Sequence, residues 1–168
     1  MIGTSDACIA TYPGDMAVAL RVLDATVETV KPDGSTRSIA IGDFHRLPGD
    51  KPQHDNVLER GELITYVTLP KPLGGRHVYH KVRDRASYAF ALVSVAGALD
   101  LDGDTVRDVR IAWGGIAHKP WRATRAEDLL RGGPDVDVMK GKGGIDVIQA
   151  KDGFTDRKIN CGPGPNGS

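Results

Sequence analysis

The sequence predicts an α+β fold in which antiparallel strands form the larger part and a few short helices flank them. Apolar and polar residues alternate with the period of a strand in several segments. Turn residues at 32–34 (Pro-Asp-Gly) and 102–104 (Asp-Gly-Asp) separate pairs of these segments, as in hairpins. Helical patterns are confined to two short segments, which favours a layer of strands with flanking helices.

The first half is expected to contain one helix and three strands. Asp15 is placed to cap the helix, because Pro13 lies just upstream and apolar residues follow. The elements are a helix from Met16 to about Leu23, hairpin strands at Ala25–Val30 and Thr36–Ile41, and a buried strand at Leu63–Leu69 that ends at Pro70. Residues 42–57 contain prolines, glycine and several charges, which predicts a loop.

The second half repeats this strand pattern after a Pro- and Gly-rich linker at 70–75. Its expected elements are strands at Val78–Val82, Phe90–Leu101 and Val106–Trp113, and a helix at about Ala123–Leu130. We place a domain boundary in the linker, which gives a first domain at 1–72 and a second at 73–132. Residues 133–168 are rich in glycine and lack apolar periodicity, which predicts a flexible tail.

Composition argues against several classes of function. The chain has 22 basic and 22 acidic residues that interleave, so no polybasic surface for nucleic acid or an anionic membrane is predicted. No apolar run reaches the roughly 18–20 residues that span a bilayer, and no signal peptide is visible, which predicts a cytoplasmic chain. Cys8 and Cys161 are far apart and are expected to be reduced thiols.

Metal binding is not expected either. The five histidines have no metal-ligand spacing, and His77 and His80 lack an obvious third ligand, so exposed roles are the simpler interpretation. Cys8 alone cannot hold an iron–sulfur cluster, which usually needs four thiolates.

Two segments suggest a ligand site. The turn at 3–6 (Gly-Thr-Ser-Asp) offers small residues, backbone N–H groups and hydroxyls that can approach a pyrophosphate, although a plain surface turn is the simpler interpretation of these residues alone. In residues 81–96, Tyr88 and Phe90 alternate with small residues and would share one face of a strand. That face could be a flat wall for a planar ligand, or part of the core.

These segments, in the same order and together with 43–50 (Asp-Phe-His-Arg-Leu-Pro-Gly-Asp) and 58–64 (Leu-Glu-Arg-Gly-Glu-Leu-Ile), resemble a known family. It is the FAD-binding subunit of molybdenum hydroxylases, the xanthine dehydrogenase and aldehyde oxidoreductase family, and the similarity runs from Ile2 to about Gly132. The resemblance implies that 1–72 form the second part of a PCMH-type FAD-binding domain. Residues 73–132 would be the antiparallel sheet, with one helix, of a CO dehydrogenase flavoprotein-like C-terminal domain.

The resemblance also implies two departures from the family. The first part of the FAD-binding domain, with the family's other Gly-rich pyrophosphate motif, is expected to be missing. The tail at 133–168 does not resemble the helices with which the family continues.

The resemblance implies FAD as the cofactor of the intact subunit and assigns residues to it. Leu63 and Ile64 would lie against the isoalloxazine, and Asp15 would contact the ribityl–phosphate region. Lys81 would either be a solvated charge or stabilise the reduced flavin. The expected cofactor-binding residues are Gly3, Thr4, Ser5, Asp6, Cys8, Ile9, Asp15, Leu63, Ile64, Lys81, Tyr88 and Phe90. No catalytic residue is expected, because the flavin itself carries the redox chemistry.

In an intact relative, the family implies that a molybdenum centre hydroxylates an aldehyde or N-heterocycle with oxygen from water. Electrons then pass through two-iron–two-sulfur clusters to FAD and on to NAD⁺, oxygen or another acceptor. The expected partners are a large subunit with the molybdenum cofactor and a small subunit with the 2Fe-2S clusters; a signal on a partner would make the location periplasmic. The alternatives are a non-catalytic docking domain and an inactive fragment that does not hold FAD.

Overall fold

The computed structural model describes residues 2–103 and 105–131, whose strands form two antiparallel sheets. The predicted α+β class is confirmed. The first sheet has the order β2-β1-β3, and the second has the order β4-β5-β6-β7. The elements are α1 (Asp15–Val22), β1 (Thr26–Val30), β2 (Thr36–Ala40), α2 (Ile41–Phe44), β3 (Leu63–Thr68), β4 (Arg76–Val82), β5 (Val93–Asp102), β6 (Thr105–Gly114), β7 (Trp121–Arg122) and α3 (Thr124–Arg131).

The first sheet is built around the predicted hairpin of β1 and β2. Thr26 pairs with Ala40 at one end of the ladder and Val30 pairs with Thr36 at the other. The turn between them places Gly34 at a φ of +83°, in the left-handed region that glycine enters without a steric penalty. Strand β3 pairs with the free edge of β1, so it forms an outer edge of this sheet.

The second sheet is dominated by the long β5–β6 hairpin. Its ladder runs from the pair Ser94 and Gly114 to the pair Asp102 and Thr105. Strand β4 pairs along the other edge of β5 and the short β7 pairs with the end of β6. Helix α3 packs against β6.

Helix α1 precedes the first sheet in the chain but packs on the second sheet. Its buried residues Val18 and Val22 form a cluster with small residues of β5 and β6, namely Ala96, Ala98 and Ala112. Its Leu20 side chain instead packs against a smaller cluster beside the first sheet, formed by Ala25, Val27 and Ile41. The α1 helix therefore joins the two sheets across the predicted boundary near residue 72, and that boundary stays a proposal.

Three predictions about these elements are wrong. Strand β3 was expected to be buried, but all six of its residues are exposed, because it lies at a sheet edge and pairs only with β1. Strand β5 begins at Val93 and not at Phe90, because the backbone before it forms a loop. The N-cap of α1 is Gly14 and not Asp15. The predicted tail at 133–168 lies outside the described residues.

Candidate functional site

The first candidate segment is a surface loop attached to the second half of the chain. The Ile2 N–H donates a hydrogen bond to the Ile116 carbonyl over 3.0 Å, and the Tyr12 N–H donates to the Ala117 carbonyl over 2.9 Å. These two anchors hold both ends of the loop beside the chain that follows β6.

Between the anchors, the predicted pyrophosphate turn is formed. Ser5 and Cys8 exchange two backbone hydrogen bonds, each 3.2 Å long, and the Ala7 N–H donates to Ser5 Oγ over 3.3 Å. Gly3 has a φ of +70°, which favours glycine at this position. The predicted contact residues of the turn are half-buried (Gly3, Ser5 and Cys8) or exposed (Thr4, Asp6 and Ile9). The turn therefore presents small and polar groups to its surroundings.

The segment at 43–50 packs against this turn. A Cβ added at Gly3 would lie 2.7 Å from Leu47 Cδ2, so the backbone approaches that side chain closely. Tyr12 and Phe44 both meet the buried ring of His45 edge-to-face, with centroids 4.7 and 5.1 Å away. Burial lowers the pKa of His45, so the ring is neutral at neutral pH. Two of the segments that carried the resemblance thus meet in space.

Asp15 and Lys81, both predicted site residues, are in direct contact. Lys81 Nζ donates a hydrogen bond to Asp15 Oδ2 over 2.7 Å, and the Tyr79 hydroxyl donates to Asp15 Oδ1 over 2.8 Å. The hydrogen bond from Lys81 is the main reason that the pKa of Asp15 is lowered. Asp15 is therefore a charged carboxylate that joins helix α1 to strand β4.

The predicted cap residue Asp15 is not the helix cap. Gly14 is the N-cap, with extended backbone angles, and no side chain donates or accepts a capping hydrogen bond there. Asp15 is already the first helical residue, and its carboxylate is engaged by β4. A negative charge in this first turn remains favourable for the helix dipole.

Tyr88 and Phe90 lie in the loop between β4 and β5 and not on a strand as predicted. The Leu92 N–H donates to the Val82 carbonyl over 2.9 Å and closes the base of the loop. Tyr88 has a φ of +56°, which is incompatible with a continuous strand, and Arg85 Nε donates to its carbonyl over 3.2 Å. The exposed fractions of Tyr88 and Phe90 are 96% and 75%. The loop follows directly from the strand that carries Lys81.

Leu63 and Ile64 are the first two residues of β3, on the first sheet. Their exposed fractions are 66% and 50%, so both present apolar surface at the edge of the sheet. The predicted site residues therefore fall into separate groups. The turn at 3–8 packs on the 43–50 segment, Asp15 and Lys81 meet at the second sheet, and the β4–β5 loop continues from Lys81. The Leu63–Ile64 pair belongs to the other sheet.

Glu62, directly before this pair, is an important residue that the sequence interpretation missed. Its side chain is fully buried and accepts hydrogen bonds from the Thr29 hydroxyl (2.5 Å), from Arg37 Nε and Nη2 (both 2.7 Å) and from the Glu59 N–H (2.8 Å). The hydrogen bonds from Arg37 are the main reason that the pKa of Glu62 is lowered to about 2. Glu62 thus fixes the turn that leads into β3. The charged residues near Glu62 in the sequence give no sign that its side chain is buried. That burial is produced by the fold.

Tyr79 was also missed, although the sequence carries a signal for it. It lies two residues before Lys81 on a predicted strand, so both side chains must share a face. A site residue at Lys81 therefore indicates Tyr79 as its neighbour.

Metal binding and membrane spanning gain no support from the described residues. Within 2–103 and 105–131, no group of three His, Cys, Asp or Glu side chains is placed to hold a metal ion. His77 and His80 pair with Ala98 and Val95, which lie on opposite faces of β5, so the two rings do not converge. Over the same two ranges, every helix is too short or too polar to cross a bilayer.

Two family models match the chain in succession. The FAD binding domain in molybdopterin dehydrogenase matches residues 6–72, and the CO dehydrogenase flavoprotein C-terminal domain matches residues 77–138. The chain belongs to the FAD-binding subunits of the xanthine dehydrogenase and aldehyde oxidoreductase family. The resemblance seen in the sequence is confirmed.

Curated relatives of the FAD-binding subunit family cover most of this chain. It is 58% identical to the aldehyde oxidoreductase FAD-binding subunit of Escherichia coli over 133 residues, which are 79% of this chain and 41% of the relative. It is 38% identical to the glyceraldehyde dehydrogenase medium chain of Sulfolobus acidocaldarius over 118 residues, which are 70% of this chain and 40% of the relative. The chain thus spans about two fifths of the length of these FAD-binding and medium subunits.

Solved structures of the family share the fold. A chain of CO dehydrogenase from Oligotropha carboxidovorans matches with a TM-score of 0.61 and 26% identity, over 71% of this chain and 40% of that one. A chain of quinoline 2-oxidoreductase from Pseudomonas putida matches with a TM-score of 0.61 and 29% identity, over 72% of this chain and 40% of that one. The fold predicted from the resemblance is confirmed.

Proposed function

We propose that this chain forms part of the FAD site of a molybdenum hydroxylase, within its FAD-binding subunit. One observation carries the proposal: the apolar side chains among the expected cofactor-binding residues, including the Leu63–Ile64 pair that the resemblance assigns to the isoalloxazine, are exposed. The exposed fractions are 66% for Leu63, 50% for Ile64, 96% for Tyr88 and 75% for Phe90. A flat, largely apolar ring that covers such side chains removes their surface from water, which favours binding.

The remaining assigned residues would hold the polar part of FAD. The turn at 3–8 offers backbone N–H groups beside small side chains, and its left-handed Gly3 lets the backbone come close to a pyrophosphate. Of the paired Asp15 and Lys81, Asp15 would contact the ribityl–phosphate region, and Lys81 would be a solvated charge or stabilise the reduced flavin. FAD, when bound, accepts electrons and passes them to an acceptor. The residues of this chain bind it, orient it and exclude water.

In the assembled enzyme, this chain would act together with two partners and receive the electrons last. A small subunit with 2Fe-2S clusters supplies electrons, and a large subunit with the molybdenum cofactor binds the substrate. The division into a FAD-binding part at 1–72 and a C-terminal flavoprotein part at 73–132 belongs to this proposal, as does a cytoplasmic location.

The proposal is tested by FAD binding to two forms of the protein. The 168-residue chain alone is expected to bind FAD weakly, since it spans about two fifths of its relatives and would lack several charge-assisted hydrogen bonds, worth roughly 1.5–3 kcal/mol each. A hybrid that adds the preceding part of the FAD-binding domain from the Escherichia coli relative should bind FAD tightly.

Matched variants of the hybrid locate the flavin. Leu63→Glu should remove most of the bound FAD, whereas Leu69→Glu, which makes the same change at another exposed leucine, should not. Flavin absorbance per protein measures both. Equal flavin content in the two variants would contradict the assignment of Leu63 to the flavin. Tight, stoichiometric FAD in the chain alone would contradict the expectation that the added segment is needed.

The second candidate function is a docking domain that holds no FAD. It is favoured by exposed apolar residues on the second sheet, such as Val78 (62%) and Leu101 (48%), which lie outside the assigned flavin residues. Co-purification of the hybrid with the large and small subunits without flavin would support this function over the first.

A further inference from the structure

A cavity of about 440 Å³ lies in the connection between α2 and β3, outside the residues assigned to FAD. Its polar lining consists of Arg46, Lys51, His54, Asn56, Glu59 and Arg60. The volume lies within the range of small-molecule sites. None of the twelve residues assigned to the flavin lines this basic cavity.

The cationic side chains of the basic cavity form no ion pair among the residues that the structure describes. Within 2–103 and 105–131, no carboxylate lies within 4.0 Å of the side-chain nitrogens of Arg46, Lys51 or Arg60. Glu59 is the one carboxylate in the lining, and it is engaged elsewhere, because Lys31 Nζ donates to its Oε1 over 2.7 Å. The lining therefore carries three cationic side chains and one carboxylate, and that carboxylate is already paired.

The loop that carries these side chains is held in place by its own backbone. The Arg46 N–H donates to the Asp55 carbonyl over 2.9 Å, and His45 and Asn56 form a β-bridge beside this bond. Further along the loop, the Lys51 N–H donates to the Pro48 carbonyl over 2.9 Å.

The base of the loop is fixed as well. Leu58 N–H donates to Asn56 Oδ1 over 3.0 Å, and Arg37 Nη2 donates to the Val57 carbonyl over 2.8 Å. The cationic side chains therefore project from an ordered frame, which lowers the entropy cost of binding a ligand.

We propose that the basic cavity binds a small phosphorylated anion. Two guanidinium groups and one ammonium group without carboxylate partners favour a ligand with several anionic oxygens, and the planar fork of arginine matches phosphate groups. The volume admits a diphosphate with an organic group attached. This inference does not rest on the proposed FAD site, because the two sites share no lining residue.

The test is calorimetric titration of the full chain with inorganic phosphate, pyrophosphate and ADP at constant ionic strength. Saturable binding of pyrophosphate is expected, with phosphate weaker. A Kd for ADP below that for pyrophosphate would show that an organic group contributes, and equal values would show that the diphosphate alone is recognised. Absence of saturable binding for all three probes would overturn the proposal.

Variants locate the binding. Arg46→Gln combined with Arg60→Gln should weaken pyrophosphate binding about tenfold or more, because charge-assisted hydrogen bonds are lost. Lys71→Gln, which removes one positive charge at an exposed lysine outside the cavity, should change the Kd less than about twofold. All these side chains are exposed, so thermal melting should confirm that each variant folds. Unchanged affinity in the double variant would overturn the proposal.

A final comparison separates this site from the proposed flavin surface. Thr4→Glu, in the turn assigned to the pyrophosphate of FAD, should leave pyrophosphate binding unchanged, since Thr4 does not line the basic cavity. Loss of pyrophosphate binding in that variant would show that the anion occupies the flavin surface and would overturn the proposal of a separate site.

Discussion

Lys81 and Asp15 form an ion pair, with 2.7 Å between Nζ and Oδ2, although 66 positions separate them in the chain. The pair joins the edge strand of the second sheet to the first residue of the helix that packs across it. Two residues that were assigned to FAD from distant segments therefore belong to one cluster, together with Tyr79. Changes at Asp15 should affect both the packing of α1 and the proposed flavin site.

Replacing Asp15 should lower the stability of the fold only slightly but should remove much of the bound FAD. The pair is partly exposed, so a double-mutant cycle with Asp15→Asn and Lys81→Met should give a coupling energy of about 0.5–1 kcal/mol in denaturant unfolding. In the hybrid that contains the full FAD-binding domain, Asp15→Ala should lose much more FAD than this small change in stability explains. Normal flavin content with only a lower Tm would leave Asp15 with a structural role alone.

The Asp15 contribution should depend on pH in a defined direction. The folded-state pKa of Asp15 is below its ordinary value of 3.8. Its stabilisation is therefore present above about pH 4 and is lost as the pH falls below 3.8 through the folded-state value. The stability difference between the original chain and Asp15→Asn should shrink over that window, as measured by urea unfolding at each pH.

Glu62→Gln should destabilise the first sheet and the start of β3. The change removes the charge that Arg37 and Thr29 bind and leaves a buried site with poorer hydrogen bonds. We expect the Tm to fall by roughly 5 °C or more. Amide exchange at Leu63 and Ile64 should also become faster, because Glu62 fixes the turn before them.

Two further measurements check that the buried carboxylate of Glu62 stabilises this part of the fold. Since the folded-state pKa is about 2 and the ordinary value is 4.5, its stabilisation should be complete above pH 4.5 and decline as the pH falls toward 2. Glu59→Gln is the control, because that side chain is 58% exposed. A larger loss of Tm for Glu59→Gln than for Glu62→Gln would contradict the structure.

Glu127→Gln should detach helix α3 from the second sheet. The Glu127 side chain is 3% exposed, accepts a 2.6 Å hydrogen bond from the Ile111 N–H and pairs with Arg122, which is itself 9% exposed. Removal of one partner from a buried pair should cost about 3 kcal/mol in unfolding free energy. Asp128→Asn, at a 67% exposed side chain in the same helix, should change stability by less than about 0.5 kcal/mol.

Gly114→Ala should push helix α1 away from the sheet. A Cβ at this position would lie 2.5 Å from Ser94 Oγ and 2.6 Å from Val18 Cγ2, so the change should cost about 1–3 kcal/mol. Gly97→Ala is the matched control on the other face, where the nearest atom is Val78 Cγ1 at 3.3 Å on an exposed side chain. Chemical denaturation of both variants measures the difference, and equal losses would contradict this packing of α1.

Much of the fold could be predicted because it depends on local patterns. The period-two alternation and the turn at 32–34 fixed the β1–β2 hairpin, and the same pattern predicted β4, β5 and β6. The short α2 and β7 elements were not predicted, since four and two residues carry too little periodicity to recognise. The family could also be recognised, because its motifs occur in order along the chain.

The sequence by itself determined the α+β class, the main hairpins, the family and the residue types available for a flavin. Only the tertiary structure decided which of those residues meet. It packed α1 on the second sheet and so joined Asp15 to Lys81, it placed Leu63 and Ile64 at an exposed edge, and it buried Glu62 beside Arg37. The physical reason is that alternation and turn chemistry act over a few residues, whereas burial and ion pairing depend on which distant segments share a surface.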